Sequence, residues 1–139
     1  MSIEENKVVF KRIVEEVFNN RDFSVIPELI SPDFAFDAFF GEFRGPDGFR
    51  KMCELQNAAF PDLHYTVEDM IGEGEKLATQ MTWSGTFEGE FGGVAPTGKH
   101  MSLTEAVFST FKDGKETGPI TYMDMLSFFQ QAGITPPAG

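Results

Sequence analysis

The chain has 139 residues, with 22 acidic against 11 basic side chains, a formal charge of -11 at pH 7, and 41% hydrophobic residues that include 16 Phe. That length and apolar content suit one domain, 1–139, with a core of its own. The charge repels phosphate backbones and anionic bilayers, no apolar run is long enough to span a membrane, and no secretory signal opens the chain, so nucleic-acid and membrane partners are excluded and a cytoplasmic protein is expected.

Ser2 followed by Glu5 has the form of a capping box, and Phe10, Ile13, Val14, Val17 and Phe18 recur at helical spacing, which predicts a first amphipathic helix to about Asn20. "FSVIPELI" reads as a shorter helix with Pro27 near a bend. In "DFAFDAFF", Phe34, Phe36, Ala38 and Phe40 alternate onto one face, the pattern of a strand. "GPDGFRKMCELQNAAF" predicts a helix opened by Pro46 and Asp47, and Pro61-Asp62 turns the chain into "LHYTVEDMI".

Three strand-like stretches follow, "KLATQMTWSGTF", "HMSLTEAVFSTF" and "PITYM", and then "MDMLSFFQQAG", a helix that Gly133 stops. A loose tail is expected over 134–139. Helical patterns early and long strands with short turns late predict an α+β fold, with helices on one face of a mostly antiparallel sheet. The sheet is expected to end near Met123.

Several tempting signals carry no chemistry. "GGVAPTGKH" nearly spells a phosphate-binding loop, but His100 replaces the magnesium-ligating Ser or Thr, and a strand pattern follows where a helix is required. His64 and His100 have no metal-ligand spacing, so no metal site is expected. The pairs Glu73/Glu75 and Glu88/Glu90 read as solvated turns. Cys53, the single cysteine, reads as a packed thiol rather than a nucleophile.

Asp124 stands out because a carboxylate among Tyr122, Met123, Met125 and Leu126 is costly to bury without a partner. Local sequence favours a helix N-cap, an ordinary place for aspartate. Strand alternation would put Ile120, Tyr122 and Asp124 on one face, and would let only one of Gln80 and Trp83 face the interior.

The ordered set Phe60-Pro61-Asp62, Gly85-Thr86, Gly89, Pro96-Thr97-Gly98-Lys99, Asp113-Gly114-Lys115, Asp124 and Gln130-Gln131 through Gly133 resembles the ester cyclase or SnoaL-like polyketide cyclase family. The resemblance implies the cone-shaped α+β fold of the nuclear transport factor 2-like (NTF2-like) superfamily, with helices on the concave side of a curved sheet. It also implies a cofactor-independent enzyme that closes a ring of an aromatic polyketide by intramolecular aldol condensation, or a related proton transfer on an apolar carbonyl compound. Asp124 matches the family's acid/base, which removes a proton next to a carbonyl and returns one to the alkoxide.

On this reading Phe34, Phe36, Phe40, Trp83 and Tyr122 line a pocket that reaches Asp124 and stacks a flat apolar ligand. The alternative is a non-catalytic module in which the same pocket only holds a hydrophobic molecule. The family pattern further implies a homodimer or homotetramer through the outer sheet face, consistent with apolar residues on both faces of strands near 77–86 and 101–111. The chain departs from the family at Thr110, where an Arg is usual, at Ile120, where a Trp is usual, and at Gly118-Pro119, where a regular strand usually continues. The cyclases also use a histidine near the aspartate, a place to which neither His64 nor His100 is assigned.

Overall fold

The computed structural model describes residues 2–135. The predicted capping box is formed: Ser2 Oγ accepts from the Glu5 N–H, and the Glu5 carboxylate accepts from the Ser2 N–H. It opens helix α1, Ile3–Arg12, which runs on as a π-helical segment, Ile13–Asn19. At its end the Asn19 side chain exchanges two hydrogen bonds with the Tyr65 backbone, 2.9 and 2.8 Å, and so pins the helix to the sheet. A 3-10 turn, Phe23–Val25, then leads into the short α2, Ile26–Leu29, with Pro27 in its first turn.

The single strand expected over 34–40 is instead a hairpin. Strand β1, Ala35–Ala38, pairs with β2, Gly41–Arg44, and the chain reverses at Phe39 and Phe40. Gly45, at φ 66, then turns the chain into α3, Gly45–Ala59, whose inner side buries Phe49, Met52 and Cys53. Cys53 is a packed thiol, and burial pushes its pKa well up.

Strands β3 (His64–Glu73), β4 (Lys76–Thr86), β5 (His100–Lys112) and β6 (Lys115–Met123) form one antiparallel sheet in chain order. β5 fixes the faces: Met101, Leu103, Glu105, Val107, Ser109 and Phe111 are buried, and the residues between them are exposed. The short α4, Met125–Ala132, follows the sheet and ends at Gly133, φ 77, as predicted. Ile134 is not loose, because its N–H donates to Phe129 O at 2.9 Å; residues 136–139 of the expected tail lie outside the described residues.

Two apolar clusters hold the layers together. One joins α1, the sheet and α4 through Phe10, Trp83, Phe87 and Phe128; the other joins the helices to the hairpin through Ile13, Ile26, Phe49 and the hairpin's Phe43, with Phe34 beside them. The outer sheet face differs from expectation. On β4 and β5 it carries mainly Thr, Ser, Gln and Ala, and its large exposed apolar residues are Ile71, Phe108, Ile120 and Tyr122.

The departure at Gly118-Pro119 has a structural cause. The β5–β6 register shifts so that Thr110 faces Gly118 while Phe111 faces Glu116, leaving Thr117 as an extra residue. The bulge turns Glu116 to the same inner side as Phe111. A Cβ on Gly118 would lie 2.4 Å from the carbonyl oxygen of Ala35, so the hairpin can cross β6 only over a glycine. Gly118→Ala is therefore expected to lower stability by roughly 1–3 kcal/mol, read as a lower urea midpoint with unchanged far-ultraviolet circular dichroism.

Candidate active site

Between the helices and the concave sheet lies a cavity of about 600 Å³. Aromatic side chains dominate its wall. Phe36 and Phe40 reach it from the hairpin, Trp83 from β4, Tyr65 from β3, and Phe60 and Phe91 from the loops beside them. Trp83 is held edge-on to Phe60 at 5.1 Å, with its indole N–H toward Met123 Sδ at 3.4 Å. Such a wall suits a flat apolar ligand.

Four of the five predicted lining residues, Phe36, Phe40, Trp83 and Tyr122, are brought to this cavity, and Gln80 faces solvent as the alternation required. Phe34 is not among the lining residues. The Phe34 N–H donates to Ser31 O, closing a turn before β1 begins, and its ring packs edge-on against Phe49 at 5.2 Å inside the second cluster. Phe39, at the tip of the hairpin, lines the cavity in addition and meets Phe91 and Phe128.

Tyr122 borders the cavity but is 63% exposed, with its ring against the outer-face Phe108. The register explains it: Ala106 pairs with Tyr122 and Phe108 with Ile120, so the face shared by Ile120 and Tyr122 is the outer one. Asp124, next in that alternation, is exposed and does not line the cavity, although Met123 and Met125 on either side of it do. Its carboxylate caps α4, accepting from the Ser127 N–H at 3.0 Å. Asp124→Asn is thus expected to preserve the melting temperature, whereas Asp124→Ala should cost about 1 kcal/mol of stability.

The carboxyls inside the cavity are Glu105 and Glu116, which sequence reasoning missed. Glu105 faces Met123 across the β5–β6 ladder and points inward; burial raises its pKa to about 7. Glu116 sits beyond the bulge, is 3% exposed, and has an unpartnered Oε2; burial raises its pKa to about 8. The third acid on the wall, Asp37, is an exposed rim residue whose Oδ1 lies 2.7 Å from Arg44. A signal for Glu105 was present, since it occupies an inward position between Leu103 and Val107 in β5. Glu116 gave none, because the bulge that turns it inward also breaks the alternation.

The Asp62 carboxylate accepts from the Thr86 N–H and hydroxyl, at 2.6 and 2.8 Å, which holds its pKa below the usual range. This latch ties the α3–β3 turn to the end of β4 on the exposed surface and takes no part in the cavity. Among the described residues no cluster of three His, Cys, Asp or Glu is placed to hold a metal ion, and no helix is long and apolar enough to cross a membrane.

A carboxyl poised near pH 7 against apolar walls is able both to take a proton from a carbon acid and to give one back. The sequence profile of SnoaL-like polyketide cyclases matches residues 8–132. TsrD from Streptomyces laurentii superposes with a TM-score of 0.86 at 21% identity, covering 97% of this chain and 99% of that one. AclR from Streptomyces galilaeus, a candidate hydroxylase, gives 0.77 at 29% identity over 99% of this chain and 91% of that one. IdmH from Streptomyces antibioticus, a candidate polyketide cyclase, gives 0.75 at 29% identity over 93% and 99%. No curated protein sequence matches the chain.

Proposed function

Because the chain belongs to the SnoaL-like polyketide cyclase family, we propose that it closes a ring of, or moves a proton on, an apolar aromatic carbonyl compound bound in this cavity, with Glu105 as acid/base. The observation that carries the reading is the placement of Glu105, inward on β5 and buried in an aromatic wall. Its ionised carboxylate takes the proton from a carbon next to a carbonyl, and the substrate's own π-system spreads the enolate charge. In ring closure the enolate carbon then bonds to a second carbonyl carbon, whose electron pair moves onto oxygen. That alkoxide recovers the proton from Glu105. No cofactor is required by this sequence of steps.

A second reading keeps Asp124 as the acid/base. It is supported by the family motif and by Met123 and Met125, which bring the chain to the cavity wall on both sides of it. It needs α4 to give up the Ser127 N–H that now holds the carboxylate. A third keeps the cavity as a binding site without catalysis.

Exchange of the C1 protons of 2-tetralone in deuterated buffer, followed by proton NMR, separates catalysis from binding alone. The acid/base reading expects exchange well above the buffer rate, saturable in ketone. Binding of 2-tetralone without accelerated exchange would leave the binding module ahead.

Assembly as a homodimer or homotetramer through the outer sheet face is part of the same proposal, supported by the exposed Ile71, Phe108, Ile120 and Tyr122. Light scattering at micromolar concentration should give at least twice the 15.5 kDa chain mass; a monomer would refute it.

A further inference from the structure

No basic side chain among the described residues lines the cavity beside its carboxyl groups, and the most buried of these, Glu116, is without a hydrogen bond at Oε2. We propose that the ligand carries a basic nitrogen, which as an ammonium group pairs with Glu116. This rests on the reading of the cavity as the substrate site and adds the chemical class of what enters it.

Among the described residues, three acidic side chains line the cavity, Asp37, Glu105 and Glu116, and no lysine, arginine or histidine does. Asp37 has its partner in Arg44 at the rim. Glu116 has none: its Oε2 is buried without a hydrogen bond, and the neighbouring ammonium groups are spent elsewhere. Lys115 Nζ donates to Pro27 O, and Lys112 Nζ pairs with Asp33 on the surface. A buried carboxyl left without a donor is rare among folded proteins and costs free energy until one arrives.

An ammonium N–H supplies both the donor and the counter-charge, in a charge-assisted bond. The lining rings add to it, since a cation over an aromatic face is attracted by the ring quadrupole. A protein of formal charge -11 also draws cations toward its mouth and repels anions.

Placement narrows the shape of the ligand. Glu116 pairs with Phe111, six positions along β5 from Glu105, and at about 3.3 Å per residue the two backbone positions are roughly 20 Å of strand apart. The nitrogen therefore lies at one end of an elongated ring system and the reacting carbon at the other. The extra residue Thr117 makes this possible, because without the bulge Glu116 would face out.

The test uses three unreactive probes, 1-naphthylmethylamine, 1-naphthylmethanol and 1-naphthoate, titrated calorimetrically into the full chain at pH 7.5. The amine is expected to bind at least tenfold more tightly than the alcohol, and the carboxylate not at all. Glu116→Gln should bring the amine down to the alcohol's affinity while leaving the alcohol unchanged, which also reports that the cavity is intact. Glu105→Gln should keep the preference for the amine.

Equal binding of amine and alcohol, or a preference that survives Glu116→Gln, would overturn the proposal. So would a preference lost in Glu105→Gln, which would place the nitrogen at the other end. If Glu116→Gln weakens the alcohol as much as the amine, Glu116 is a neutral hydrogen-bond donor and the proposal falls. None of these probes is turned over, so the outcome is independent of whether 2-tetralone exchange is observed.

Discussion

Glu105→Gln is expected to lower 2-tetralone exchange, and kcat on a true ring-closing substrate, by about 10²–10⁴-fold while the fold and the cavity survive. Glutamine has the shape of glutamate and fills the same place between Leu103 and Val107, but it takes no proton from carbon. The wild-type rate should rise as pH passes through about 7, the value to which burial brings Glu105, and level off once the carboxylate is ionised. The Gln variant should lose this step together with the rate. Asp124→Asn is the matched control, since Asn caps α4 as Asp does. If Asp124→Asn falls by the larger factor and Glu105→Gln stays active, the acid/base is Asp124 and α4 must open during turnover.

The two carboxylates also show where sequence is legible and where it is not. Asp124 was read both as an N-cap and as a cavity group. The cap is present, with the carboxylate on the Ser127 N–H, because N-capping is a local interaction written within four residues. Whether its side chain faced the cavity depended on which face of β6 turned inward, and that is set by pairing with β5, a non-local property. Ile120, Tyr122 and Asp124 do alternate together, but outward.

The same distinction explains the hairpin. The alternation of Phe34, Phe36, Ala38 and Phe40 is real in the sequence, yet the turn after Ser31 and the reversal at Phe39 and Phe40 divide it, so that Phe34 packs against Phe49 while Phe36 lines the cavity, both within one apolar cluster. Helices with capping boxes, Pro in the first turn and Gly at the end were readable because each signal is short-range. The meander of four strands was readable because each has strand-forming residues, with tight turns between β3 and β4 and between β5 and β6 and a Gly- and Pro-rich loop between β4 and β5. Glu116 was not, since a bulge of one residue inverts the face without changing composition.

Stability should fall as pH rises from about 5 to 8.5, and the fall should be largely removed in the Glu105→Gln, Glu116→Gln double variant. Both glutamates have folded pKa values raised by burial, to about 7 and about 8, from an ordinary carboxyl value of 4.5. A carboxyl that is harder to ionise folded than unfolded stabilises the fold fully below its unfolded pKa. It loses that contribution as pH rises through the folded value. Each unit of difference is about 1.4 kcal/mol, so the two together amount to roughly 6 kcal/mol across this window, comparable with the whole stability of a small domain. The other shifted carboxyls, Glu5, Glu28 and Asp62, are displaced downward by hydrogen bonds to Ser2, Arg12 and Thr86. Their contributions are present above their unfolded values and are lost only as pH falls through their lowered folded values, below the window in question. Urea midpoints at pH 5 and pH 8.5 for the wild type, both single variants and the double variant measure the effect. A wild-type midpoint independent of pH would mean that water or a shifted helix already solvates these carboxyls. A pH-dependence unchanged in the double variant would instead assign it to the repulsion of the -11 charge as a whole. If the dependence follows Glu116 in particular, an ammonium probe bound at pH 8.5 should restore the midpoint, because a bound cation stabilises the ionised carboxylate that the empty cavity disfavours.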